Sequence, residues 1–197
     1  LFTGLVEDIG TVRELRRHPR GARLAVACSL DGLRIGESVS VDGVCQTIVV
    51  VEGRTFSCDV LPETLRVSNI GFARPGTRVN LERAIEAGGR LGGHLMNGHA
   101  DGLGTVIAVI TRPVRLDVSV TPSLLKYIVP KGPVALNGVS LTVGPSVGNG
   151  RFSVFIIPET WERTNLKDLA VGSRVNIEVD IVAKYVERLC ARKGGGV

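Results

Sequence analysis

Two pairs of small polar residues carry the first chemical signal in this sequence. Cys45 and Thr47 stand two apart, and so do Ser140 and Thr142. Residues two apart on a strand share one face, so each pair sets a thiol or hydroxyl beside a second hydroxyl. Such a face can hydrogen-bond a polar ligand or supply a nucleophile. The competing reading of a strand cysteine is a small apolar filler. His99, Lys131 and Asp180 add an imidazole, an ammonium and a carboxylate. An unperturbed imidazole titrates near pH ~6.5 and suits general acid or base work. Asp180 can orient that imidazole, stabilise a cation or position water, and Lys131 can stabilise an anion. Their competing reading is a surface ion pair, worth little.

The elements that must position these residues come in two sets. Residues 37–50, ESVSVDGVCQTIVV, align with 132–145, GPVALNGVSLTVGP, placing Cys45 on Ser140 and Thr47 on Thr142. Residues 55–70 align with 151–166 through a shared Pro-Glu-Thr, at 62–64 and 158–160. Residues 75–85 answer 171–181, and 4–12 answer 98–106. The offset drifts only from 94 (Gly4 to Gly98) to 96 (Pro62 to Pro158), so the chain is a tandem duplication. His99, Lys131 and Asp180 stand opposite Leu5, Gly36 and Ala84, so the halves differ where charge and acid–base chemistry are concerned. The glycine-rich run 86–93 marks the seam.

The local pattern is β. Residues 23–28, 38–41, 44–51, 56–61 and 78–82 are short apolar or alternating runs. Asp42-Gly43 and Asn137-Gly138 signal tight turns. Pro62-Glu63-Thr64 starts a helical turn, and 123–128 is expected to make a matching turn in the second half. In 181–193, Val182, Tyr185, Val186 and Leu189 form one helical stripe, with Lys184, Glu187, Arg188 and Arg192 on the other face. The expected fold is all-β with a C-terminal α-helix: one small barrel at 1–88, another at 89–181 and the helix at 182–197.

Composition narrows the function classes. Hydrophobic residues make up 44%, charged residues 22% and aromatics 4%, a globular balance poor in stacking surfaces. The net charge of +5 is scattered, so nucleic acid is not an expected partner, though the field suits an anionic or electron-rich small molecule. No apolar run approaches the ~18 residues of a membrane span. Cys28, Cys45, Cys58 and Cys190 form no CxxC or zinc-like spacing. With no signal-like opening, they are expected to be reduced thiols of a cytoplasmic protein that holds no metal.

The run FTGLVEDIGTV at 2–12, GGHLMNGHADGLGTV at 92–106, the paired DGVCQT and NGVSLT, the doubled PET and VNIEVD at 175–180 together resemble the riboflavin synthase family. The resemblance covers nearly the whole chain. It implies two six-stranded Greek-key barrels, a homotrimer joined by its C-terminal helices, and an active site between barrels of neighbouring subunits. It implies dismutation of two 6,7-dimethyl-8-ribityllumazine molecules to riboflavin and 5-amino-6-(D-ribitylamino)uracil by transfer of a four-carbon unit. No cofactor is implied, and association with lumazine synthase is possible in the family.

The resemblance also assigns residues. Gly4, Leu5 and Val6, like Gly98, His99 and Ala100, match ligand-lining segments. Cys45, Gln46 and Thr47, and Ser140, Leu141 and Thr142, line the pteridine pockets, with Ser38 beside the first; Cys45 and Ser140 are candidates for nucleophilic or water-positioning roles. Gln46 departs from the apolar residue usual there and by alternation faces away from Cys45. Asp59, Val60, Leu61, Pro62, Glu63 and Thr64, and Phe155, Ile156, Ile157, Pro158, Glu159 and Thr160, match loops holding the ring and ribityl chain; helix capping is the competing role for the Glu and Thr residues. His99 is the first general acid/base candidate for removing a proton from the acidic C7 methyl or protonating a leaving nitrogen, with Asp180 as its partner. Lys131 binds the ribityl chain or steadies the anion. His94 reads as structural or as a subunit contact. The alternatives are a non-catalytic lumazine protein of the same fold, a flavin reductase domain and an assembly module.

Overall fold

The computed structural model describes residues 1–191. Each half forms a closed six-stranded antiparallel barrel. Barrel 1 comprises β1 (Asp8–His18), β2 (Gly21–Ala27), β3 (Ser38–Val41), β4 (Val44–Glu52), β5 (Thr55–Val60) and β6 (Arg78–Arg83), ordered β1-β2-β5-β4-β3-β6 around the ring. Barrel 2 comprises β7 (Gly102–Thr111), β8 (Val114–Ser119), β9 (Pro133–Leu136), β10 (Val139–Gly148), β11 (Arg151–Phe155) and β12 (Arg174–Val179), in the matching order β7-β8-β11-β10-β9-β12. Closure removes free sheet edges, and the order is the Greek key that the family resemblance implies. Alternation fills each interior: β5 buries Phe56, Cys58 and Val60, and β11 buries Phe152 and Val154 at the equivalent places.

The helical turns are α1 (Pro62–Val67), α2 (Pro122–Leu125) and α3 (Pro158–Arg163). The turn expected at 123–128 therefore begins at Pro122 and ends at Leu125. It is not the partner of α1: α3 is, because it carries the second Pro-Glu-Thr. The C-terminal helix α4 begins at Ile181 and is described to Ala191; residues 192–197 of the expected helix lie outside the described residues.

The barrels meet through their hairpin tips. Asp42 and Gly43 (φ 48 and 79°) and Asn137 and Gly138 (φ 45 and 75°) adopt left-handed turns that glycine and Asx residues tolerate. A Cβ on Gly43 would fall 2.6 Å from Gly138 N, so these tips touch backbone to backbone. Buried amides ring the contact in a pseudo-symmetric network. Asn80 Nδ2 donates to Asn137 O (2.9 Å) and Asn176 Nδ2 to Asp42 O (2.8 Å). Asn165 N donates to Asn80 Oδ1 (2.7 Å) and Asn69 N to Asn176 Oδ1 (2.7 Å).

Candidate active site

The N-terminal segment crosses to barrel 2, and the segment after the seam crosses to barrel 1. Phe2 pairs with Met96 through hydrogen bonds of 2.9 and 3.1 Å. Gly4 O accepts from Ser140 N at 2.9 Å, and Gly98 O accepts from Cys45 N at 2.7 Å. Val6 packs against the core of barrel 2 and Ala100 against that of barrel 1. Both glycines are left-handed, and a Cβ on Gly4 would fall 2.5 Å from Ser140 Cβ. A buried carboxylate anchors each crossing: Glu82 accepts from Thr3 N (2.6 Å) and Gly4 N (3.0 Å), and Glu178 from Asn97 N (2.6 Å) and Gly98 N (3.1 Å). Burial raises both acids, Glu178 to about 7.

The crossing completes a cleft of about 520 Å³ on barrel 2, lined by Gly4, Leu5, Val6, Ser140, Glu159 and Thr160 among others. Ser140 is half-buried and Thr142 exposed, so the polar face of β10 looks outward, while Leu141 points into the barrel. β4 repeats this: Cys45 is half-buried, Thr47 exposed and Gln46 buried. Gln46 Nε2 donates to Cys45 O at 2.7 Å, which uses one amide N–H inside the barrel, and the buried side chain leaves residue 46 only its backbone for a ligand. Leu141, Val60 and Ile156 are buried in the same way. Ser38 pairs with Thr47 across the ladder.

The loop after each β5-type strand presents an apolar residue to solvent: Leu61 and Ile157 are each 66% exposed, and Phe155 is also exposed. Pro62 and Pro158 then open α1 and α3. No side chain caps the N-terminus of either helix; Glu63 instead bonds Arg66 (2.9 Å), and Glu159 bonds Arg163 (3.1 Å). The Arg66 hydrogen bond holds the Glu63 carboxyl below its usual range. Asp59 pairs with Arg23 at 2.6 Å. Lys131 is exposed, left-handed (φ 64°), and its N–H donates to Val143 O beside Thr142.

The acid–base candidates divide between the half-sites. His99 follows Gly98 onto barrel 1, beside Cys45, and has no hydrogen-bond partner among the described residues. Asp180, expected to serve His99, accepts from Val182 N (2.9 Å) at the start of α4, and its charge bears on His94. His94, read from the sequence as structural or as a subunit contact, lies with its Nδ1 2.7 Å from Ser140 Oγ, a pairing the sequence does not show. Burial lowers its pKa, and Asp180 opposes that shift. Fully buried Phe2 packs at Gly98, and fully buried Met96 packs at Gly4. One apolar bridge thus supports both half-sites.

The lumazine binding domain model matches the chain twice, at residues 3–84 and 97–180. The riboflavin synthase of Mycobacterium tuberculosis is 43% identical over 98% of this chain and 100% of its own length. Those of Bacillus subtilis and Schizosaccharomyces pombe are each 35% identical, over 95% and 96% of this chain and 89% and 93% of theirs. In fold, the chain is similar to LumP crystallised with 6,7-dimethyl-8-(1'-D-ribityl) lumazine, with a TM-score of 0.83 and 20% identity over 91% of this chain and 99% of that one. LumP crystallised with riboflavin matches equally well, at 0.83 and 22% over 91% and 100%. With two lumazine binding domains and full-length relatives of this kind, the chain belongs to the riboflavin synthase family.

Proposed function

We propose that this protein converts two molecules of 6,7-dimethyl-8-ribityllumazine into riboflavin and 5-amino-6-(D-ribitylamino)uracil. The observation that carries this reading is the pair of related half-sites, each an outward polar strand face closed by the other half's crossing segment. Two copies of one substrate need two similar seats, and the chemistry needs them to act differently. Cys45 with His99 on barrel 1, and Ser140 with His94 on barrel 2, meet both needs. Seating both reactants in register removes much of the entropic barrier, up to ~7–11 kcal/mol for good alignment. In this reading the ring rests against Leu61 or Ile157 and bonds Thr47 or Thr142. Lys131 and the Glu63, Thr64, Glu159 and Thr160 region hold the ribityl chain.

Within one chain, Phe2 and Met96 fill the space where the half-sites adjoin. This supports an active site assembled from barrel 1 of one subunit and barrel 2 of the next, in a homotrimer joined by α4. No helix among the described residues is long and apolar enough to cross a membrane, which fits a cytoplasmic enzyme; association with lumazine synthase belongs to the same reading.

Incubating the purified protein with the lumazine alone tests it. Riboflavin and the aminouracil should appear in equal amounts without any cofactor. Tight binding with no consumption would replace the enzyme by a lumazine-binding protein.

A further inference from the structure

Ser140 lines the barrel 2 cleft, and its hydroxyl has an imidazole behind it. The Nδ1 to Oγ separation of 2.7 Å is hydrogen-bond length. Both partners are fixed. His94 N donates to Thr3 O at 3.1 Å. Gly93, immediately before it, lies so near Ser140 that a Cβ there would fall 2.8 Å from Ser140 Cβ. His94 Nε2 is buried with no partner among the described residues. β10 brings the neutral Ser140 Oγ to the ring, the N-terminal segment holds the His94 backbone through Thr3 O, and the charge of Asp180, at the corner between β12 and α4, reaches the ring. His94 itself does not line the cleft, so it reaches a ligand only through Ser140.

We propose that His94 is a positioning residue and proton store for Ser140, making barrel 2 the half-site where the substrate methyl proton is taken up. This rests on the lumazine-dismutating reading of the site. The C–H bond of the C7 methyl breaks, and its electron pair stays on the substrate as a delocalised anion. The released proton bonds to Ser140 Oγ as the hydroxyl's own proton moves to His94 Nδ1. The charge of Asp180 favours the imidazolium so formed, and the proton can return through Ser140 to a departing nitrogen. Neutral histidine with its proton on Nε2 leaves Nδ1 free to accept, as this step requires.

His94→Asn is the informative variant, because its amide can still bond Ser140 but cannot take up a proton. We expect kcat to fall about 100-fold, the lumazine Kd to change less than about threefold, and the acidic limb of the kcat–pH profile to disappear. A kcat within about threefold of wild type, an unchanged acidic limb, or a Kd that rises as far as kcat falls would each overturn the proposal. Nitrogen NMR of the wild-type and Ser140→Ala proteins needs neither turnover nor a folded His94 variant. It should show the His94 tautomer or titration altered by loss of the hydroxyl; an unaltered spectrum overturns the pairing by itself. If the wild-type protein makes no riboflavin, the enzyme reading fails, and the NMR comparison still decides whether the pair exists.

Discussion

A methyl group on Gly98 would lie 2.7 Å from the Phe2 ring and 2.8 Å from Cys45 Cβ, on a backbone whose φ of +75° is already left-handed. Both strains act together, so Gly98→Ala should destabilise the protein by about 3 kcal/mol. Gly32 is the control: its φ is +74°, but a Cβ there meets only open space, so Gly32→Ala should cost about 1 kcal/mol. Urea unfolding separates the two, and equal losses would mean that the contact with Phe2 and Cys45 contributes nothing. At this scale much of the site was legible. Period-two alternation places Cys45 and Thr47 outward and Gln46 inward, as found. His94 was not legible, because its bond to Ser140 spans 46 residues and arises only from tertiary folding. In a Gly92-Gly93-His94 run beside the seam it reads as structural or as a subunit contact.

The repeat alignment pairs Gly4 with Gly98 but is silent on which barrel either glycine serves. The crossing follows from hydrogen bonds between distant backbone groups and from Glu82 and Glu178, none of which leaves a local pattern. Helix α4 is the opposite case, since its stripe was plain in the sequence. Its polar side docks on the chain's own barrel 2: Glu187 bonds Lys126 and Tyr127, and Lys184 bonds Asp101. Val182, Tyr185, Val186 and Leu189 stay more than half exposed. An apolar stripe left open beside satisfied polar contacts fits the subunit contact proposed above. If the trimer proposed above is joined by this stripe, Tyr185→Glu combined with Leu189→Glu should convert it into monomers in sedimentation analysis. Riboflavin formation should fall at least about tenfold, because each monomer retains two half-sites that no longer meet their complements. A double variant that remains trimeric would remove α4 from the assembly.

For the molecule as a whole, the duplication is nearly a two-fold, and the departure from symmetry at its centre is Asp42 against Asn137. The sequence showed both only as turn signals. The fold makes them the hub that docks one barrel on the other, with Asp42 accepting from Asn80 N (2.7 Å), Asn69 Nδ2 (2.8 Å) and Asn165 Nδ2 (2.8 Å). Full burial pushes its carboxyl up to about 7 against the pull of those three donors. The folded protein thus holds a proton on Asp42 that the unfolded chain releases above pH ~4. Stability from this group is complete below that unfolded value and is lost as pH rises through about 7. Glu178 and Glu82 are raised too and act in the same direction. Asp42→Asn should remove one of these contributions, so denaturant unfolding from pH 5 to 8 should fall less steeply with pH in the variant. The new amide also sets its own N–H₂ against Asn69 Nδ2, so the test reads the slope with pH and not the absolute stability. Parallel pH dependences for the two proteins would show that Asp42 stays ionised between the barrels, held there by its three donors.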